Sequence, residues 1–102
     1  ASEVSELDGV ELPDARIAEA LRNRATVCAN LGQVQQALQY LELLLERFPH
    51  AETEELRRDQ GSLLRKTGDA AGARKAFERA LELDPSSERA QLGLNRLEMF
   101  GA

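Results

Sequence analysis

The sequence predicts an all-α fold of antiparallel helical hairpins stacked side by side, about five helices in all. Three observations predict it. Leu, Ala and charged helix formers dominate the 102 residues, whereas the aromatic residues that favour strands are few: no Trp, one Tyr and three Phe. Gly32, Ala37 and Pro49 return 36 residues later as Gly68, Ala73 and Pro85, and Glu42, Leu45 and Glu46 return as Glu78, Leu81 and Glu82. Self-similarity at a period of roughly 20–50 residues marks a stacked repeat. Finally, Val34, Ala37, Leu38, Leu41, Leu44, Leu45 and Phe48 recur at helical spacing and form one apolar stripe.

The elements follow in order. Residues 1–14 are acidic, contain Gly9 and end beside Pro13, and read as an irregular arm or linker ahead of a repeat domain over 15–102. Asp14 stands where an N-cap belongs, ahead of the apolar positions Ile17, Leu21, Ala25 and Cys28; this first helix stops at Gly32. The second helix carries the stripe and stops at Pro49. The third starts near Glu52 and buries Leu56, Leu63 and Leu64 before Gly68. Asp69 caps a fourth with the stripe Ala70, Ala73, Phe77, Ala80 and Leu81, halted before Pro85. Ser86 or Ser87 caps a fifth, about 87–100, on which Ala90, Gly93, Leu97 and Phe100 face the fourth.

Charge and composition exclude several function classes. The net charge of −5 resides in the arm, where Glu3, Glu6, Asp8, Glu11 and Asp14 have no basic neighbour; the remainder is balanced. A neutral body lacks the electrostatic footprint of a nucleic-acid binder. No apolar run has the length of a membrane span, so no membrane insertion is expected. A single Cys excludes an internal disulfide, and cytoplasm is only the default compartment. The chain opens on Ala1 and Ser2, which fits a processed chain or a piece of a longer one.

At the repeated residues the chain resembles the tetratricopeptide repeat family, whose pattern places a small residue in the first helix and glycine at the turn. Ala, an aromatic, Ala and Pro then follow through the second helix. The second repeat, about 54–87, matches with Gly61, Gly68, Ala73, Phe77, Ala80 and Pro85; the first, about 18–51, keeps Ala25, Gly32, Ala37 and Pro49 but has Leu41 for the aromatic. The first-helix aromatics are replaced by Leu21 and Arg57, and by Cys28 and Leu64. The resemblance implies a short right-handed solenoid of two repeats and a C-terminal capping helix, and a module for protein–protein interaction.

No catalytic constellation, cofactor motif or metal-spaced cluster is present, and no enzyme is expected. His50 beside Pro49 reads as an exposed loop histidine and Cys28 as a structural thiol. Glu54 and Glu55 fit the first turn of a helix, where the dipole favours carboxylates. The family's groove positions, carried onto this chain, give Glu19, Arg22, Asn23, Thr26 and Asn30 from the first repeat. The second gives Glu55, Arg58, Asp59, Ser62, Arg65 and Lys66, and the fifth helix Gln91, Leu94, Asn95 and Glu98. Arg22, Arg58 and Arg65 suit a peptide or protein partner with acidic groups. The competing account pairs Glu19 with Arg22 and Glu55 with Arg58 as ordinary surface contacts.

The two-carboxylate clamp of chaperone-docking members does not fit: Thr26 and Asp59 stand where asparagines belong, and Asp59 repels a carboxylate. Two features remain. Val4, Leu7, Val10 and Leu12 among the arm's carboxylates suggest a segment that docks in an Arg-bearing groove. Leu92, Leu94 and Met99 lie off the packing face of the fifth helix, so the alternative expectation is a scaffold piece that forms a homodimer through that end.

Overall fold

The computed structural model describes the backbone of residues 2–100 and the side chains of residues 15–99. The chain forms α1 (Ser2–Asn30), α2 (Val34–Arg47), a single 3₁₀ turn (Pro49–Ala51), α3 (Glu54–Lys66), α4 (Ala70–Leu83) and α5 (Glu88–Phe100). Helices α1 and α2 make one antiparallel hairpin, α3 and α4 the next, and α5 packs on both α4 and α3.

The hairpin turns follow directly from glycine. Gly32 and Gly68 have φ of +83° and +89°, in the left-handed region that other residues resist. At each, the glycine and the residue after it bond back to the last turn of the helix. Gln33 N–H donates to the Cys28 carbonyl at 2.8 Å and Gly32 N–H to Ala29 at 3.1 Å; Asp69 N–H donates to Leu64 and Gly68 N–H to Arg65, both at 3.0 Å. These bonds satisfy carbonyls that a bare helix end leaves orphaned. The starts of α3, α4 and α5 are set by side chains, whereas α2 begins without a side-chain cap. Asp69 Oδ1 accepts from Gly72 N–H at 2.8 Å, Thr53 Oγ1 from Leu56 N–H at 3.2 Å, and Ser87 Oγ from Ala90 N–H at 3.2 Å.

The core is two linked clusters. The first gathers Ala25, Ala37, Leu38, Leu41, Leu44 and Phe48 with Leu56 and Leu63 of the next hairpin. The second holds Ala73, Phe77 and Ala80 with Ala90, Leu94 and Leu97 of α5, and half-buried Leu64 touches both. Phe77 is clasped between glycines. A Cβ on Gly61 of α3 would lie 2.9 Å from its ring, and one on Gly93 of α5 would lie 2.5 Å away. Both helices therefore approach the ring at backbone distance. Glu52, in the linker between the hairpins, is tied to the second: its carboxylate accepts from Arg79 Nε and Nη2 of α4 at 2.7 and 2.8 Å, and from Arg57 Nε of α3 at 2.7 Å.

Four expectations need correction. Asp14 does not begin α1: the helix already runs from Ser2, and neither Gly9 nor Pro13 interrupts it. An interior proline removes one main-chain bond, and the helix continues on both sides of it. Ile17 is exposed, and Ala18 packs on the first cluster in its place. Helix α3 begins at Glu54 rather than near Glu52, because Thr53 supplies the cap. Leu94, expected off the packing face, is buried against α4 and leaves Leu92 and Met99 exposed. The expected packing of Phe100 and the docking of Val4, Leu7, Val10 and Leu12 lie outside the described side chains.

Candidate protein-docking groove

The first helix of each hairpin and α5 line one face, and a row of depressions runs along it. Between α1 and α3 lies a cavity of about 230 Å³. Its floor is Ala25, Leu41, Leu56 and Leu63; Thr26 and Asn30 of α1 face Asp59, Ser62 and Lys66 of α3 across it. A wider depression of about 440 Å³ continues toward the α1 N-terminal side, bordered by Glu19, Arg22, His50 and Thr53. Between α3 and α5 a third, of about 210 Å³, is bordered by Arg58, Ser62 and Arg65 of α3 and Arg89 and Arg96 of α5, over Phe77 and Gly93. Ser62 lies between the two slots that flank α3.

The periodic turns, the small-residue contacts and this helix order agree with a match to the tetratricopeptide repeat profile over residues 16–86, more than half of the chain. The chain belongs to the tetratricopeptide repeat family. A search of curated proteins returns no match. The family mediates protein–protein interaction.

Of the residues expected in that groove, Arg22, Thr26, Asn30, Arg58, Ser62, Arg65 and Lys66 border these depressions. Asn23 does not: it borders a separate hollow with Arg24, Val27, Cys28 and Tyr40. On α5 the expected positions are displaced. Gln91 Nε2 donates to Asn95 Oδ1 at 3.2 Å, Glu98 pairs with Arg74 at 3.6 Å, and Leu94 is buried. Arg89, Leu92, Gly93 and Arg96 take their place. The signal that finds them is the cap spacing: Thr53 to Ser87 is 34 residues, so Ser62 corresponds to Arg96 rather than to Glu98. The linker Asp84–Ser87 is two residues shorter than Phe48–Thr53, because it has no 3₁₀ turn.

Electrostatics divide the groove. Arg58 pairs with Glu54, not Glu55: its Nε donates to Glu54 Oε2 at 2.8 Å, and Ser87 Oγ donates to the same oxygen at 2.6 Å. These bonds, the Arg58 one foremost, hold the Glu54 carboxyl below its ordinary pKa. No ion pair joins Glu19 to Arg22 among the described residues. Asp59 behaves oppositely: burial outweighs the attraction of Arg58 and pushes its carboxyl up. It makes no hydrogen bond among the described residues. Glu52, outside the groove, is pulled down to about 2, chiefly by its bonds to Arg79.

His50 is exposed in the 3₁₀ turn, its ring edge-on to Phe48 at 6.2 Å, and Cys28 is half-buried with Sγ 3.9 Å from Gln36 Oε1. Among the described residues no cluster of three or more His, Cys, Asp or Glu could hold a metal ion. No helix is long and apolar enough to cross a membrane, among the described residues.

Proposed function

We propose that this domain docks a peptide or protein segment in the groove lined by α1, α3 and α5, and that it has no catalytic role. The observation that supports the reading is the row of depressions itself. Apolar floors lie beneath convergent polar side chains from successive first helices, the usual make-up of a recognition site. Arg22, Asn30, Arg58 and Arg65 are the contacts that would meet a partner with acidic groups. Residues 1–14 form a separate acidic extension of α1 in this reading, and residues 15–102 the docking unit.

The test compares affinity capture by the parent domain with capture by Thr26→Trp, which fills the α1–α3 slot, and by Arg58→Glu with Arg65→Glu. Circular dichroism verifies the fold of each, and the captured protein is then titrated by calorimetry. Loss of one partner on both variants supports groove docking; retention by both excludes it.

A second reading has its own observation. Leu92 is 53% exposed and Met99 75% exposed on α5, which favours a scaffold piece that self-associates there. Light scattering across the micromolar range decides it: a dimer that Met99→Lys dissociates supports it, and a monomer throughout excludes it.

A further inference from the structure

The cleft between α3 and α5 collects positive charge in a chain whose net charge is negative. Of its eleven arginines, four border this one cavity: Arg58, Arg65, Arg89 and Arg96. Among the described residues no acidic one borders it. Of the seven arginines elsewhere, three are neutralised, Arg57 and Arg79 by Glu52 and Arg74 by Glu98, and no other cavity among the described residues gathers more than one arginine. Arg65, Arg89 and Arg96 form no ion pair among the described residues. Arg58 already has Glu54 as a partner, so three guanidinium groups around one small cavity stay uncompensated, an arrangement that an anion would complete.

The cleft is also built rather than incidental. Glu54 holds Arg58 by its Nε, which leaves the other guanidinium nitrogens available, and Glu54 is itself held by the Ser87 hydroxyl that caps α5. The N-terminal ends of α3 and α5 are thus tied to each other and to the arginine between them. Below, the Phe77 ring and the bare backbone of Gly93 make an apolar floor. A charge-assisted hydrogen bond is stronger over such a floor than in bulk water. The guanidinium fork matches a carboxylate in bidentate geometry, which an ammonium group does not.

We propose that the α3–α5 cleft is a carboxylate-binding subsite, formed by Arg58, Arg65, Arg89 and Arg96, that takes an acidic side chain of a docked peptide. The proposal rests on groove docking and adds its chemistry. A peptide is favoured over nucleic acid because the basic patch is confined to one slot. Across α3 stands Asp59, toward α1 stands Glu19, and the chain as a whole is acidic. A phosphate backbone needs a continuous basic track, whereas a single acidic side chain needs only this slot.

The probe is a short fluorescein-labelled peptide alternating glutamate and alanine, titrated by fluorescence anisotropy. Parallel titrations use its glutamine counterpart, inorganic phosphate and a single-stranded RNA oligonucleotide. Arg89→Glu with Arg96→Glu is expected to weaken glutamate-peptide binding at least tenfold. Arg47→Glu with Lys75→Glu, an equal charge change on exposed residues of α2 and α4, is expected to alter it less than twofold. Arg89→Gln with Arg96→Gln, matched in melting temperature to the parent, repeats the test without charge reversal. Nitrogen-15 resonances of the arginine Nε groups should shift on peptide addition for the cleft arginines and not for Arg47.

Equal weakening by both charge reversals, equal binding of the glutamine peptide, or binding of phosphate or RNA without the glutamate peptide would each overturn the proposal. A partner lost on Thr26→Trp but indifferent to Arg89 and Arg96 would overturn the subsite and leave groove docking standing.

Discussion

The two slots that flank α3 share a wall and differ in almost everything else. Toward α1 the lining is mixed, with Asp59 and Lys66 beside Thr26 and Asn30; toward α5 every ionisable group is an arginine. The cause begins in the core. Ala25, Leu41 and Leu56 underlie the first slot, whereas Phe77 under the second is gripped by Gly61 and Gly93. Ala25 and Gly61 are repeat equivalents, as are Leu41 and Phe77, so the second repeat lacks a methyl group on α3 and carries a ring where the first has a leucine. The exchange brings α5 close to α3 and sets the arginines of both helices around one cavity. Neighbouring repeats with the same backbone plan therefore offer a partner different chemistry on the two sides of a single helix.

The largest expected effect tests that clasp. Phe77→Ala should destabilise the domain by about 3–5 kcal/mol, and Leu41→Ala by about 2–5. In denaturant titrations the phenylalanine variant is expected to be the worse of the two, because the ring is packed by α3 and α5 at once. Gly93→Val should cost about 1–3 kcal/mol through overpacking against the ring, and it should weaken glutamate-peptide binding as α5 is forced outward. A Gly93→Val domain with parent stability would show that the ring yields, and that the close approach is not a constraint.

Ser87→Ala removes both the α5 cap and the hydroxyl on Glu54. A loss of about 1 kcal/mol is expected, with a smaller drop in peptide affinity than Arg89 and Arg96 produce. The smallest effects concern pH. Glu52 ionises near 2 in the fold and near 4.5 when unpaired, so its stabilisation is complete above about pH 4.5. It is lost as the pH falls toward 2, and Glu52→Gln should flatten that part of an acid-unfolding curve. Asp59 has the opposite sign: burial raises its pKa, so its ionisation weakens the fold as the pH rises. Asp59→Asn should slightly stabilise the domain at neutral pH and favour peptides with a second acid near the α1–α3 slot.

Much of this was legible in the sequence. The glycines at the turns, the caps at Asp69 and Ser87 and the stripe through Leu38, Leu41 and Leu44 all act through local chemistry, which a sequence displays. Thr26, Asn30, Ser62 and Lys66, which border the first slot, were reached through the family resemblance, by carrying its groove positions onto this chain. The α5 side of the second slot was missed, because the 36-residue period was carried past Ser87, where the shorter linker resets it to 34. Two residues turn a helix by about 200°, enough to exchange Glu98 for Arg96 at the cleft. The continuation of α1 through Pro13 was hidden for another reason: a local breaker was read as decisive where the flanking residues favour helix on both sides.

The clasp around Phe77 also bears on how the groove deforms. In a solenoid each unit is held by its nearest neighbours, and mechanical load passes through those contacts alone. The wall formed by α3 and α5 is riveted through one ring and tied at its end by Ser87 and Glu54, whereas α1 faces α3 across an open slot. The groove is a vice with one fixed jaw: hydrogen exchange should be slow along α3 and α4 and faster along α1, and a bulky segment should enter by moving α1.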